Sequence, residues 1–244
     1  MNKLYKAFII ILGLIIYSTV YSEPLTLSSS KQQTTLIELF TSEGCSSCPP
    51  AERWLNKLKD DSRLWKQIIP LAFHVDYWDY IGWKDSFATP ANTERQRRYH
   101  QERGISTVYT PGFVNNGKEW RQWFGLKTLT ASPNTPGQLK ASIADNQLEA
   151  TFASGIIAND SLKLNIAILG FGFTTKIKAG ENAGRISAHD FVVIGQTSQN
   201  SFNGQWHISL PDTQQFQAKR KAIAIWVSQT DRQQPIQAVG GWLN

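Results

Sequence analysis

The chain has 244 residues, of which 41% are hydrophobic and 18% charged. That is enough apolar content for one large or two modest globular domains, and it excludes a disordered chain. The formal charge of +6 is mild and carries no dense Lys/Arg run, so nucleic acid is not an expected partner.

Residues 1–22 stand apart. Asn2, Lys3 and Lys6 give a short basic start, Ala7 to Val20 is apolar, and the small Ser22 precedes Glu23. This is the pattern of a signal peptide; an uncleaved anchor is the alternative, but the run is short for a membrane span. Once it is removed, no stable membrane span is expected, and the location is periplasmic or secreted. Loss of Lys3 and Lys6 leaves 23 basic against 19 acidic side chains, a net charge of about +4. Residues 23–34 are polar and Ser-rich, which predicts a mobile leader.

Thr35 to Phe40 is a short apolar, β-branched run and therefore a strand. Gly44-Cys45-Ser46-Ser47-Cys48-Pro49-Pro50 follows and holds the only two cysteines. After it, Trp54, Leu55 and Leu58 recur at helical spacing. Strand, CxxC, helix is the order of a redox dithiol, whereas a zinc ribbon needs a second cysteine pair. At a helix N-terminus the free N–H groups and the positive dipole end stabilise a thiolate. Cys45, the more N-terminal sulfur, is assigned as the nucleophile that forms a mixed disulfide, and Cys48 as the resolving thiol. Pro49 and Pro50 lack N–H donors and fit only the first helical turn. A structural staple is the competing reading in an oxidising compartment. A bridge across two residues closes almost no loop, however, and so stabilises little.

Ile68 to Asp76 is a second strand, apolar enough to be buried on both faces. Tyr77 to Asp85 then holds four aromatics in seven residues, either packed over a sheet edge or forming a wall beside the dithiol. Thr89-Pro90 marks the N-cap and first position of a helix running to about Arg103, with Gly104 as its stop. That helix is almost wholly polar, so its arginines are expected on a solvated face. Asn116-Gly117 is a two-residue turn signal that pairs Phe113-Val114 with Glu119-Trp120 as a hairpin. Pro111 stands immediately before this hairpin; a trans peptide bond is the commoner state there.

Three segments together are distinctive: Glu38 to Ala51 around the CxxC, Phe73-His74-Val75-Asp76-Tyr77-Trp78-Asp79, and Tyr109-Thr110-Pro111. They resemble the secreted, thioredoxin-like family known as domain of unknown function 1223. The resemblance implies an α/β thioredoxin-like domain over residues 35–130, with a βαβ unit carrying the CxxC, a helical insertion and a ββ hairpin. It also implies that Cys45 and Cys48 are the attacking and resolving cysteines, that Pro111 is a cis-proline facing them, and that the backbone of Thr110 pairs with a client peptide. The intervening Ser46-Ser47 leaves the direction of electron flow open. The buried acid of thioredoxin falls at Leu39 here, one residue from Glu38, which alternation points to the other face. Glu43, close to Cys45, is a second candidate for tuning the thiol, since a like charge disfavours thiolate.

Gly125 to Gly137 has linker composition. Beyond it, residues 138–244 form a predicted β-rich, sandwich-like domain with strands at 147–153, 161–169, 174–177, 191–194, 205–210 and 221–227. Gly180 to Arg185 is a polar, glycine-flanked loop to which the sequence assigns no role. The expected function is an exported thiol-disulfide oxidoreductase, with no cofactor beyond a redox-active Cys45–Cys48 disulfide. Thiol or disulfide client proteins and a redox recycling partner are the expected partners. The alternative is a soft-metal protein holding Cu(I) on Cys45, Cys48 and His74, a two-sulfur, one-nitrogen set.

Overall fold

The computed structural model describes residues 23–124, 129–154 and 161–243; the predicted signal segment and residues 125–128 of the predicted linker lie outside them. Strand β1 (Leu25–Ser28) is followed by β2 (Thr35–Thr41), helix α1 (Pro49–Asn56) and β3 (Ile68–His74). Helix α2 (Pro90–Gln101) leads to β4 (Gly112–Asn115) and β5 (Lys118–Glu119). The remaining strands are β6 (Gly137–Ala144), β7 (Gln147–Ser154), β8 (Leu162–Phe171), β9 (Phe173–Lys176), β10 (Ile186–His189), β11 (Val192–Ser201), β12 (Gln205–Ser209), β13 (Arg220–Gln229) and β14 (Pro235–Leu243).

Eight of these strands form one mixed sheet in the order β14-β13-β8-β11-β3-β2-β4-β5. Strands β2 and β3 run parallel in register from Thr35↔Ile68 to Thr41↔His74, with α1 in the connection between them. All seven residues of each are buried, as a continuous apolar run requires. Strand β4 pairs antiparallel with the other edge of β2, bringing Gly112 opposite Phe40. A second sheet, β1-β6-β7-β12, and the β9–β10 ribbon hold the other strands among the described residues. Alternation along β8 sends Leu164, Ile166 and Ile168 to a core shared with Leu139, Leu148 and Phe152 of the second sheet. Ala167 and Leu169 face a core built on β2, β3 and α1.

This overturns the predicted fold class. Among the described residues the chain is mostly strand with two short α-helices, not an α/β thioredoxin-like domain with a helical insertion followed by a separate sandwich. The physical reason lies at the edge of β3. The Ala72 N–H donates to the Phe191 carbonyl at 2.8 Å, and Val192 pairs in parallel with Ala72. A local reading of strand pattern does not reveal which strand closes an open edge, and an open edge of buried, apolar residues is a liability that folding removes. The leader is likewise no free tail: β1 pairs with β6 over four residues, and buried Gln33 donates to the Pro235 carbonyl at 3.0 Å.

Local signals held where local physics decides. Thr89 Oγ1 accepts the Asn92 N–H and caps α2. Asn116 and Gly117 both take positive φ, 45° and 82°, the pair of left-handed residues that a two-residue hairpin turn needs. Helix α2 departs from expectation, because it buries Asn92, Thr93, Arg95, Gln96 and Tyr99 against the sheet. Arg97 and Arg98 do lie on the expected solvated face with Glu94 and His100, whereas Arg95 and the other buried polar residues turn inward.

Glu119 on β5 clamps the segment that leads into Pro111. Its carboxylate accepts from Tyr109 Oη and Arg121 Nε, both at 2.8 Å, and from the Ser106 N–H at 3.1 Å. Burial opposes ionisation, but these donors outweigh it and hold the Glu119 pKa at about 2 against an ordinary 4.5. A depressed carboxylate stabilises fully above its unfolded pKa and loses that contribution as pH falls toward the folded value. Glu119→Gln is therefore expected to melt below the parent at neutral pH, with the gap closing as pH falls from 4.5 to about 2. Parallel melting curves across that range test it, and a gap independent of pH would remove the clamp.

Candidate functional site

Cys45 and Cys48 are joined as a disulfide where the chain leaves β2 and enters α1. Cys48 occupies the N-cap, and its carbonyl accepts the N–H groups of Ala51 and Glu52 at 2.9 and 3.1 Å. Pro49 and Pro50 fill the first turn. Ser46 and Ser47 are exposed, yet both cysteines have no accessible surface. Ser47 Oγ lies 3.3 Å from Cys45 Sγ.

The loop bonded to the backbone around the cysteines comes from far along the chain. Asn182 Nδ2 donates to the carbonyls of Glu43 and Cys45, at 2.8 and 2.9 Å. Glu181 Oε2 accepts from the Ser46 N–H at 3.4 Å. Both residues belong to the β9–β10 connection, the glycine-flanked loop whose role was not legible in the sequence. Gly180 and Gly184 take positive φ there, 72° and 84°, and let the loop reverse tightly enough to seat Asn182.

Thr110 and Pro111 reach the same end of the sheet from the other side, since the N-terminus of β4 lies beside the C-terminus of β2. Their peptide bond is cis. Trp78 connects the two halves: its Nε1 donates to Thr110 Oγ1 at 2.7 Å, and its Cβ would lie 3.1 Å from a Cβ built on Gly44. In the aromatic segment Tyr77 Oη donates to Gln96 and Trp83 Nε1 to Glu43 Oε2, whereas Tyr80 stands 84% exposed. The aromatics mainly pack and tie the loop inward.

Behind the disulfide lies a buried cluster of two histidines and three carboxylates. His74 Nδ1 lies 2.7 Å from Asp85 Oδ2, and that carboxylate also accepts the Glu43 and Phe87 N–H groups at 2.9 Å. His189 Nε2 lies 3.1 Å from Glu43 Oε1. His189 Nδ1 lies 2.7 Å from Glu52 Oε2, off the line of a hydrogen bond. Thr41 Oγ1 donates to Glu52 Oε1 at 2.6 Å. Burial disfavours charge on His74, His189, Glu52 and Asp85, but mutual attraction prevails. Asp85 raises the His74 pKa, and Glu52 with Glu43 pushes His189 up to about 10. His189 in turn lowers Glu52, and His74 lowers Asp85.

The sequence-derived residues are thus brought together unequally. Cys45, Cys48, Glu43, Thr110 and Pro111 share one end of the large sheet. Glu38 does not join them; it faces α2, bonded to Arg95 and Tyr99, as strand alternation indicates. Of the alternative Cu(I) set, the two sulfurs are bonded to each other, and His74 groups with Glu52 and His189. Glu52, Asp85, Asn182 and His189 were missed. Glu52 had a signal, one helical turn beyond Cys48 on the same face. His189 and Asn182, more than 130 residues from the CxxC, had none.

The sequence profile of the family described as "Protein of unknown function (DUF1223)" matches residues 36–228. The chain belongs to this family. No curated protein matches this DUF1223 chain. Among solved structures it is similar to the crystal structure of protein AGR_C_4864 from Agrobacterium tumefaciens, with 23% identity and a TM-score of 0.58 over 88% of this chain and 94% of that one. It is also similar to HBP35 of Porphyromonas gingivalis, with 14% identity and a TM-score of 0.59 over 88% of this chain and 76% of the other. At these identities the likeness concerns the fold alone.

Proposed function

We propose that this DUF1223 protein is an exported thiol-disulfide oxidoreductase whose oxidised form carries the Cys45–Cys48 disulfide. The observation that carries this reading is the disulfide's position: at the first turn of α1, at the same end of the sheet as the cis Thr110–Pro111 bond, with the β9–β10 loop bonded to its backbone through Asn182 and Glu181. In the forward step a client thiolate attacks Cys45 Sγ, the Cys45–Cys48 bond breaks, and Cys48 leaves as a thiolate stabilised by the helix N-terminus. A second client thiolate then attacks the mixed disulfide and releases Cys45. The client dithiol is oxidised to a disulfide and the protein is reduced to its dithiol, so a recycling partner must take up two electrons. The reverse sequence reduces a client disulfide. Thr110 and Pro111 are proposed to line the client-peptide site, and Glu43 to act on Cys45 through the loop that joins them.

Equilibration of the mature protein against glutathione buffers tests the reading. A reversible two-electron couple is expected, near ~−120 mV for an oxidant or ~−270 mV for a reductant. Absence of exchange over that span, in chain denatured and refolded as well as native, would leave the disulfide a structural bridge.

A further inference from the structure

The geometry points to a buried divalent-metal site, suited to Zn2+, formed by Glu52, His74 and His189. One ligand atom from each lies within 4.8 Å of the others, and all three residues are buried. His74 Nε2 is the decisive atom. The residue is 1% exposed, its Nδ1 is engaged by Asp85, and Nε2 has no hydrogen-bond partner. An orphaned imidazole nitrogen in a buried polar cluster costs free energy unless something binds it.

The surrounding groups have the form of a metal's outer shell. Each imidazole has one nitrogen against a carboxylate, Asp85 for His74 and Glu43 for His189, and the other nitrogen of His189 lies 2.7 Å from Glu52 Oε2. This carboxylate–histidine pairing fixes the ring orientation of metal-ligating histidines. Glu52 is itself positioned by Thr41. Two histidines and one glutamate are a zinc donor set that leaves a fourth position for water or substrate. A surface cavity of about 320 Å³, lined by Glu52, Asn56, Arg185 and Ala188 among others, reaches one of the three ligands from solvent. The ligands come from α1, β3 and β10, so the ion would tie the β9–β10 ribbon to the helix that begins at the disulfide.

The test is metal analysis of the mature protein purified without chelator, followed by Zn2+ titration of chelator-stripped protein against a chromophoric competitor. One zinc per chain is expected, with a rise in melting temperature on zinc addition. Loss of at least ~10-fold in affinity is expected for Asp85→Asn, a residue in contact with a ligand and not with the ion. Larger losses are expected for His189→Gln and Glu52→Gln, and none for Cys45→Ser/Cys48→Ser. Cobalt substitution in the unaltered protein gives a readout independent of variant folding: a tetrahedral visible spectrum without thiolate-to-cobalt charge transfer. Failure to bind zinc in the unaltered protein would overturn the site. So would zinc affinity that depends on the cysteines, or affinity indifferent to Glu52 and His189. Because the redox proposal is read from the disulfide couple and this one from metal content, either can fail alone.

Discussion

Arg95→Met is expected to lower the stability of the folded chain by ~3–5 kcal/mol, because it leaves the Glu38 carboxylate buried without its counter-charge. Glu38 is wholly buried and Arg95 4% exposed. The guanidinium donates through Nε to Glu38 Oε2 at 2.6 Å, through Nη1 to Gln233 Oε1 at 2.8 Å and through Nη2 to Tyr99 Oη at 3.2 Å. Tyr99 Oη donates to the other Glu38 oxygen at 2.5 Å. The cation also lies 5.2 Å from the Phe73 ring centre and 4.9 Å from that of Trp226. Every polar atom of the carboxylate is therefore answered by α2, and α2 is fixed on the sheet by the same bonds. The loss is large against a total stability of ~5–15 kcal/mol for an ordinary domain. Replacing both partners, Glu38→Leu with Arg95→Met, is expected to recover most of it, since an apolar pair of similar volume carries no desolvation cost. Urea midpoints of the parent, single and double variants check both statements. A single variant as stable as the parent would mean that the Glu38 carboxylate is solvated.

How much of this was legible in the sequence follows from how far each signal reaches. The CxxC at a helix start, the Thr89 cap and the Asn116-Gly117 turn depend on a few neighbouring residues, and each appears where the chain placed it. Strands β8 and β12 were legible by alternation, and β13 by its apolar run and spacing, each within a few residues of its observed bounds. Sheet membership was not, because β11 beside β3 joins residues about 120 positions apart and nothing in either strand's pattern names its partner. The polarity of α2 misled for a related reason: Arg95 resembles its exposed neighbours in sequence, and only the Glu38 opposite it makes it a core residue. His189 shows the limit most plainly. It is one of four histidines in the chain, lies in a short strand of mixed polarity, and acquires meaning only beside Glu43, Glu52 and His74.

Both cysteines are buried, so exchange at the disulfide requires an opening, and Asn182, bonded to the backbone on either side of Gly44, is the residue expected to control it. Its amide spans the Glu43 and Cys45 carbonyls, so the loop cannot lift without breaking two hydrogen bonds at once. Both carbonyls and the amide are buried, Asn182 being 1% exposed, and a bond in such a place is worth ~0.5–1.5 kcal/mol. Asn182→Ala removes two of them and is expected to raise the population of the lifted loop by ~10–100-fold, each ~1.4 kcal/mol being tenfold. When opening is fast relative to attack, the rate follows the open population. Reduction of Cys45–Cys48 by dithiothreitol should then accelerate by the same factor, while the equilibrium potential moves little if the loop covers dithiol and disulfide alike. Trapping the new thiols with an alkylating reagent over time gives the rate. An unchanged rate in a folded variant would show that reductant reaches the sulfurs by another path, past the exposed Ser46 and Ser47, and that the β9–β10 loop is a wall and not a gate.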